Sequence, residues 1–125
     1  MTRDPDTPAR DLVSHKAVVT VAPDATLGEA AREMQRRGVG SALVMDAEER
    51  FTGIVTERDL LRAVAASRHP DQCRVEEWMT AEAITIAPDT TRDEAAAIMQ
   101  ERGFRHLPVV EEGRVIGVVS IRDLV

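Results

Sequence analysis

The chain has 125 residues, which is enough for one ordinary domain of roughly 100–150 residues. Its 16 Lys and Arg residues against 22 Asp and Glu residues give a formal net charge of −6. This acidic balance argues against binding to a nucleic-acid backbone, which requires a basic face, and against an anionic membrane surface. The two Phe residues and one Trp are too few for a base-stacking platform, so the core must be aliphatic.

The cysteine content and the hydropathy of the sequence indicate in which cellular compartment the protein acts. Cys73 is the only cysteine in the sequence, which excludes an intrachain disulfide bond and a cysteine-based zinc site. No apolar stretch approaches the roughly 18 residues of a membrane span. The N-terminus also lacks the apolar segment of a secretory signal. The sequence therefore predicts a cytoplasmic protein that does not act at a membrane.

The first half of the chain predicts a tail and then one structural unit. The tail is expected to be flexible because residues 1–8 are polar and contain two prolines. In the unit, Thr26 and Glu29 fit a capping box at the start of a helix, and Gly38 suits its end. The predicted elements are a strand at 17–21, this helix, a hairpin of 41–45 and 51–55, and a second helix after Thr56.

The second half predicts the same order of elements. A short helical turn at 75–79 leads into it. The elements that follow are a strand at 83–86, a helix capped by Thr91 and ended by Gly103, a hairpin of 107–110 and 115–119, and a second helix after Ser120. Either this last helix is short or the sequence has been trimmed. We assign residues 1–10 to the tail, 11–67 to repeat 1, 68–75 to a linker and 76–125 to repeat 2.

The two halves are a duplication. When the sequence is shifted by 65, residues 20–38 lie over residues 85–103 with twelve of nineteen positions identical. A shift by 64 aligns Gly53, Arg58 and Asp59 with Gly117, Arg122 and Asp123. A unit of about 60 residues buries too little surface to be more than marginally stable alone, so the two repeats should pack together. The predicted fold class is α/β (α+β), with two β-α-β-β-α repeats.

The strand-to-helix junction of each repeat is the strongest candidate site. Thr56 is followed three residues later by Asp59, and Ser120 by Asp123, each at a helix start. One interpretation is a second capping box. The other is a ligand site, because a helix N-terminus suits a phosphate and ligands of open α/β layers lie beyond the carboxyl ends of the strands. The two interpretations can coexist.

At this point the sequence resembles a tandem pair of cystathionine-β-synthase-type (CBS) domains. The resemblance covers roughly residues 11–125. It rests on the segments Thr20-Val21-Ala22-Pro23-Asp24, Thr85-Ile86-Ala87-Pro88-Asp89, Gly103-Phe104-Arg105-His106-Leu107-Pro108 and the two Gly-x-Val-[Thr/Ser]-x-Arg-Asp-Leu segments. It implies a compact module with pseudo-twofold symmetry and two clefts between the repeats. Such clefts hold adenosine-containing ligands such as AMP, ADP, ATP or S-adenosylmethionine.

The resemblance also implies roles for individual residues. Asp59 and Asp123 fall on the family's ribose-binding aspartate, and Thr56 and Ser120 on the neighbouring hydroxyl. It further implies two pairs that frame the base and a basic pair for phosphate. To these we add the strand proline and the two helix-start arginines, which the helix dipole disfavours and which would bind a phosphate or an inter-repeat carboxylate. These candidate residues are Val19, Thr20, Ile84, Thr85, Arg105, His106, Pro108, Arg58 and Arg122. For the arginines a solvated side chain is an equal alternative, and Pro108 also fits a residue at a strand start.

The two repeats differ where phosphate would bind. Repeat 1 has Gly40-Ser41-Ala42-Leu43 where repeat 2 has Arg105-His106-Leu107-Pro108. We therefore expect one cleft to bind phosphate better, and Asp59→Ala and Asp123→Ala to weaken a nucleotide unequally. The sequence leaves open which aspartate shares a cleft with Arg105.

The function predicted from the sequence is a binding module. The chain has no recognisable catalytic motif, so we expect no enzyme activity, no required cofactor and no metal site. The resemblance implies a homodimeric sensor that binds an adenosine compound and acts in trans on a protein partner. The alternative is a CBS scaffold with empty clefts that recruits a partner.

Overall fold

The computed structural model describes residues 4–13 and 18–125. Their elements are α1 (Ala9–Leu12), β1 (Thr20–Val21), α2 (Leu27–Arg37), β2 (Ser41–Met45), β3 (Phe51–Thr56), α3 (Glu57–Ala65), a 3₁₀ turn (Pro70–Gln72), α4 (Val75–Trp78), β4 (Thr80–Ala81), α5 (Arg92–Arg102), β5 (His106–Glu111), β6 (Arg114–Ser120) and a C-terminal 3₁₀ turn (Ile121–Leu124). The mixed α/β fold with two repeats is confirmed. The described residues form two compact units, one of residues 18–83 and one of residues 4–13 with 84–125.

The first unit is a four-stranded sheet in the order β1-β2-β3-β4. Strand β1 runs parallel to β2, and the other neighbours are antiparallel. Helix α2 begins where the Thr26 hydroxyl accepts a hydrogen bond from the Glu29 N–H (3.1 Å), and it ends at Gly38, whose φ of 67° is left-handed. Of the strand predicted at 17–21, Ala17 lies outside the described residues and only Thr20–Val21 is strand.

The second unit is built on the β5–β6 hairpin. Its turn places Glu112 and Gly113 at positive φ, as a tight two-residue hairpin loop requires. Helix α5 has the predicted capping box between Thr91 and Glu94, and both predicted hairpins are confirmed. The predicted strand at 83–86 is reduced to one parallel bridge between Ile86 and Val109.

Two short segments pack in the unit that the sequence would not assign to them. Helix α4 spans the boundary between the predicted linker and repeat 2, yet Cys73 and Val75 are buried in the core of the first unit. Helix α1 spans the boundary between the predicted tail and repeat 1, yet Ala9 and Leu12 are buried in the core of the second unit. The two repeats therefore exchange their leading helices.

The exchange uses the same hydrogen bonds in both units. The Val75 N–H donates to the Ala25 carbonyl (2.8 Å), and the Leu27 N–H donates to the Cys73 carbonyl (2.8 Å). In the second unit the Ala9 N–H donates to the Thr90 carbonyl (2.7 Å), and the Arg92 N–H donates to that of Thr7 (2.8 Å). Each leading segment thus satisfies backbone groups at the start of a long helix.

This arrangement differs from the sequence-based boundaries at both ends. The end of the predicted tail 1–10 is helical and buried at Ala9, because the helix start of α5 offers it backbone partners. The division between units falls after Ala83 and not at residue 75, because α4 and β4 complete the first sheet and core.

No helix among the described residues is long and apolar enough to span a membrane.

Candidate functional site

The first junction lies where β3 passes into α3. Asp59 is only 5% exposed, and its Oδ2 accepts hydrogen bonds from the Thr56 N–H (2.9 Å) and the Thr56 hydroxyl (3.4 Å). The predicted capping box is therefore present. Its hydrogen bonds fix the carboxylate at the start of the helix, where the helix dipole favours negative charge.

An ion pair at this junction was not predicted from the sequence. Arg62 donates from Nη1 to Oδ1 of Asp59 (2.9 Å), one turn along α3. The guanidinium also stacks on Trp78 of α4, at 5.4 Å from the ring centroid. The spacing of three residues between Asp59 and Arg62 was the sequence signal for the ion pair. Nothing in the sequence indicated the contact with Trp78, because it depends on where α4 packs.

The second junction lies where β6 passes into the C-terminal 3₁₀ turn. Oδ2 of Asp123 accepts hydrogen bonds from the Ser120 N–H (2.7 Å) and hydroxyl (3.2 Å). The turn is held from another element, because Arg92 Nε of α5 donates to the Leu124 carbonyl (2.9 Å). Repeat 1 has the buried residue Leu27 at the position of Arg92. The sequence did not predict that Arg92 holds the C-terminal turn.

The neighbouring strand contributes equivalent residues to each junction. Ser41 is the cross-strand partner of Thr56, and His106 is that of Ser120. The first N–H of the helix or turn donates to the residue just before the neighbouring strand in both units. The Glu57 N–H donates to the Gly40 carbonyl (3.1 Å), and the Ile121 N–H donates to the Arg105 carbonyl (2.9 Å). Within the second unit, the basic pair Arg105-His106 and the Ser120–Asp123 capping box thus lie side by side.

The remaining candidate residues vary in accessibility. Val19 is buried and Thr20 is exposed at the start of β1, while Ile84 is half-buried and Thr85 exposed before the Ile86 bridge. Pro108 lies inside β5 and is fully buried, and its carbonyl accepts from the Ile86 N–H (2.9 Å). The alternative of Pro108 as a residue at a strand start is therefore wrong, since β5 begins at His106.

The two helix-start arginines occupy the same place in each unit. Arg58 is the second residue of α3, Arg122 is the second residue of the 3₁₀ turn, and both side chains are exposed. Among residues 4–13 and 18–125, no three His, Cys, Asp or Glu side chains are grouped as metal ligands would be.

The direction of the strands refines the expected position of the site. The first junction lies at the carboxyl end of β3, but β1 and β2 begin at this edge. Among the strands of this sheet, only β3 ends at this junction, so the predicted ligand position beyond carboxyl ends would involve β3 alone. The edge collects Val19, Ser41, Thr56 and Asp59, which provide an aliphatic side chain, two hydroxyls and a carboxylate. Such groups can bind a small polar molecule.

Several of the curated proteins that resemble this chain are uncharacterized. The chain is 43% identical over 108 residues to an uncharacterized 17.7 kDa protein of Acidianus ambivalens, a match covering 86% of this chain and 65% of the relative. Two further relatives, from Methanopyrus kandleri and Methanocaldococcus jannaschii, are covered over 58% and 41% of their length. The chain thus spans about two thirds or less of these curated relatives.

Solved structures match over almost the whole chain. A CBS-domain containing protein from Agrobacterium tumefaciens superposes with a TM-score of 0.89 at 37% identity, covering 99% of this chain and 95% of that one. A CBS domain protein from Pyrobaculum aerophilum, complexed with AMP, matches with a TM-score of 0.84 at 32% identity, covering 94% and 89%. The family model for the CBS domain matches residues 4–66 and 75–125. The chain therefore belongs to the CBS-domain family, as a tandem pair of repeats of the kind that forms regulatory modules.

Proposed function

We propose that this tandem CBS module is a sensor that binds an adenosine-containing ligand (AMP, ADP, ATP or S-adenosylmethionine) at its strand-to-helix junctions. The observation that carries the proposal is the pair of carboxylates, Asp59 and Asp123, each fixed by a hydroxyl and a backbone N–H. The AMP complex of the Pyrobaculum aerophilum relative supports the ligand class.

The chemistry of the junctions suits the parts of such a ligand. A fixed carboxylate can accept hydrogen bonds from ribose hydroxyls. Arg58 and the N-terminus of α3 offer positive charge to a phosphate at the first junction. Arg105 and Arg122 offer it at the second, where His106 adds a ring hydrogen-bonding group. The aliphatic pairs Val19-Thr20 and Ile84-Thr85 are the groups proposed to frame the base, in a chain with only three aromatic residues, two Phe and one Trp.

We propose a mechanism based on population shift. A ligand that binds one conformation of the module better than the others raises the population of that conformation. The response acts in trans on a protein partner. The net charge of −6 favours neither nucleic acid nor an anionic membrane as that partner. We also propose that the module is not an enzyme, that it acts in the cytoplasm, and that an adenosine ligand is regulatory and not a required cofactor.

A thermal-shift assay with a panel of adenosine compounds tests the function. A ligand present at about 100 times its Kd should stabilise the folded protein by about 2.7 kcal/mol. Guanosine and cytidine nucleotides at equal concentration serve as controls for ionic effects. If no adenosine compound shifts the melting temperature at millimolar concentration, the sensor proposal fails and the scaffold that recruits a partner takes its place.

The two junctions are expected to contribute unequally. Asp59 already bonds Arg62, while Asp123 lies beside the basic pair Arg105-His106. We expect Asp123→Asn to weaken AMP about tenfold, because hydrogen bonds to a charged group contribute about 1.5–3 kcal/mol. Asp59→Asn should weaken it less. Isothermal titration calorimetry measures both, and equal losses of affinity would contradict the expected asymmetry.

We also propose that the chain forms a homodimer, as the family resemblance implies. Multi-angle light scattering at tens of micromolar should give a mass near twice the 13.7 kDa of one chain. A mass of a single chain at that concentration would overturn this proposal without affecting the ligand.

A further inference from the structure

Arg62 covers the one carboxylate oxygen of Asp59 that faces away from the capping box. Oδ2 of Asp59 is bonded to the N–H and hydroxyl of Thr56. Oδ1 is bonded to Nη1 of Arg62 (2.9 Å). The Asp59 side chain is 8% exposed and that of Arg62 is 57% exposed. The guanidinium is far more exposed than the carboxylate and therefore lies between Oδ1 and solvent.

Trp78 holds the guanidinium in this position. Its ring lies 5.4 Å from the Arg62 carbon Cζ, within the range of a cation–π contact. Trp78 is half-buried and packs against the core of the first unit, so the ring itself is fixed. Arg62 is thus restrained at two points, by a carboxylate and by an aromatic face.

A ribose would compete with Arg62 for Asp59. A vicinal diol donates two hydrogen bonds, and a carboxylate binds it best with one hydroxyl on each oxygen. Oδ2 already accepts two hydrogen bonds, from the N–H and the hydroxyl of Thr56. The diol must therefore bind Oδ1, and there it must share or displace the Arg62 guanidinium.

We propose that Arg62 is a specificity-determining residue that attenuates binding of a vicinal diol at Asp59. The inference rests on the proposed function, because it concerns an adenosine ligand at this junction. The Arg62–Asp59 ion pair lowers the affinity of the Asp59 junction for the ligand. Ligand occupancy at Asp59 then responds to higher concentrations than it would without Arg62.

The test compares AMP with 2′-deoxy-AMP, which lacks one of the two diol hydroxyls. Calorimetry is performed in an Asp123→Asn background, so that the Asp59 junction carries the binding. We expect Arg62→Gln to raise the ratio of AMP affinity to 2′-deoxy-AMP affinity about two- to fivefold, the range of an exposed ion pair. The ratio cancels the loss of positive charge, because both nucleotides carry the same phosphate.

Arg36→Gln is the matched control. Arg36 also pairs with a carboxylate three residues away, at 2.7 Å from Glu33, and its side chain is 69% exposed. Its removal should leave the affinity ratio unchanged. An unchanged ratio in Arg62→Gln, with AMP still bound, overturns the role of Arg62 and leaves the proposed function standing. Absence of AMP binding in the unmutated protein and in every variant overturns both.

Discussion

Leu12→Ala is expected to destabilise the protein by about 2–5 kcal/mol, the range found for large-to-small changes in cores. Leu12 lies in α1 and is 2% exposed. It is buried with Leu107, Val109 and Val119 of the β5–β6 hairpin. Removing its side chain leaves a cavity in the second unit, although the sequence-based boundaries assign the residue to repeat 1. Urea denaturation followed by circular dichroism measures the change in the free energy of unfolding.

Arg10→Ala is the control on the same helix. Arg10 is exposed, and substitutions at exposed positions change the free energy of unfolding by about 0.5 kcal/mol or less. A similarly small effect of Leu12→Ala would mean that α1 does not belong to the core of the second unit, and it would restore the interpretation of residues 1–10 as a loose tail.

Gly53→Ala is expected to destabilise the protein by about 1–3 kcal/mol, as overpacking does. A Cβ at this position would lie 2.7 Å from Sδ of Met79 and 2.8 Å from the backbone carbonyl oxygen of Thr80. Gly53 is paired with Ala81 of β4, so the backbone of β4 cannot withdraw without losing its pairing with β3. The change is also expected to displace α4 and therefore the ring of Trp78, which is the last residue of that helix. Thermal and urea unfolding measure the effect.

Gly28→Ala tests whether contact with backbone is the cause. The nearest atoms to a Cβ at Gly28 would belong to two side chains, Asp71 and Arg32, and not to backbone. Both are exposed and can rotate away. Because alanine is favoured over glycine within a helix, this substitution should be neutral or stabilising by up to about 1 kcal/mol. If Gly28→Ala destabilised the protein as much as Gly53→Ala, the argument from the Thr80 carbonyl would be refuted.

The candidate site divides into a part that is local and a part that is not. The capping boxes of Asp59 and Asp123 connect residues three apart, so their geometry follows from the sequence pattern and the helix start. The contacts of Arg62 with Trp78 and of Arg92 with the Leu124 carbonyl join residues far apart in sequence. No local pattern encodes them, because they depend on how separate elements pack.

By itself, the sequence determined the duplicated order of elements, both hairpins, the helix boundaries at Gly38 and Gly103, and the two strand-to-helix junctions. These features follow from hydrophobic period, caps and glycine conformation, which act over a few residues. Only the tertiary structure decided that α1 and α4 exchange between the repeats, because the backbone partners at the start of each long helix come from segments distant in sequence. That exchange places Leu12 in the second core and Trp78 beside Arg62, and so it decides which side chains surround Asp59.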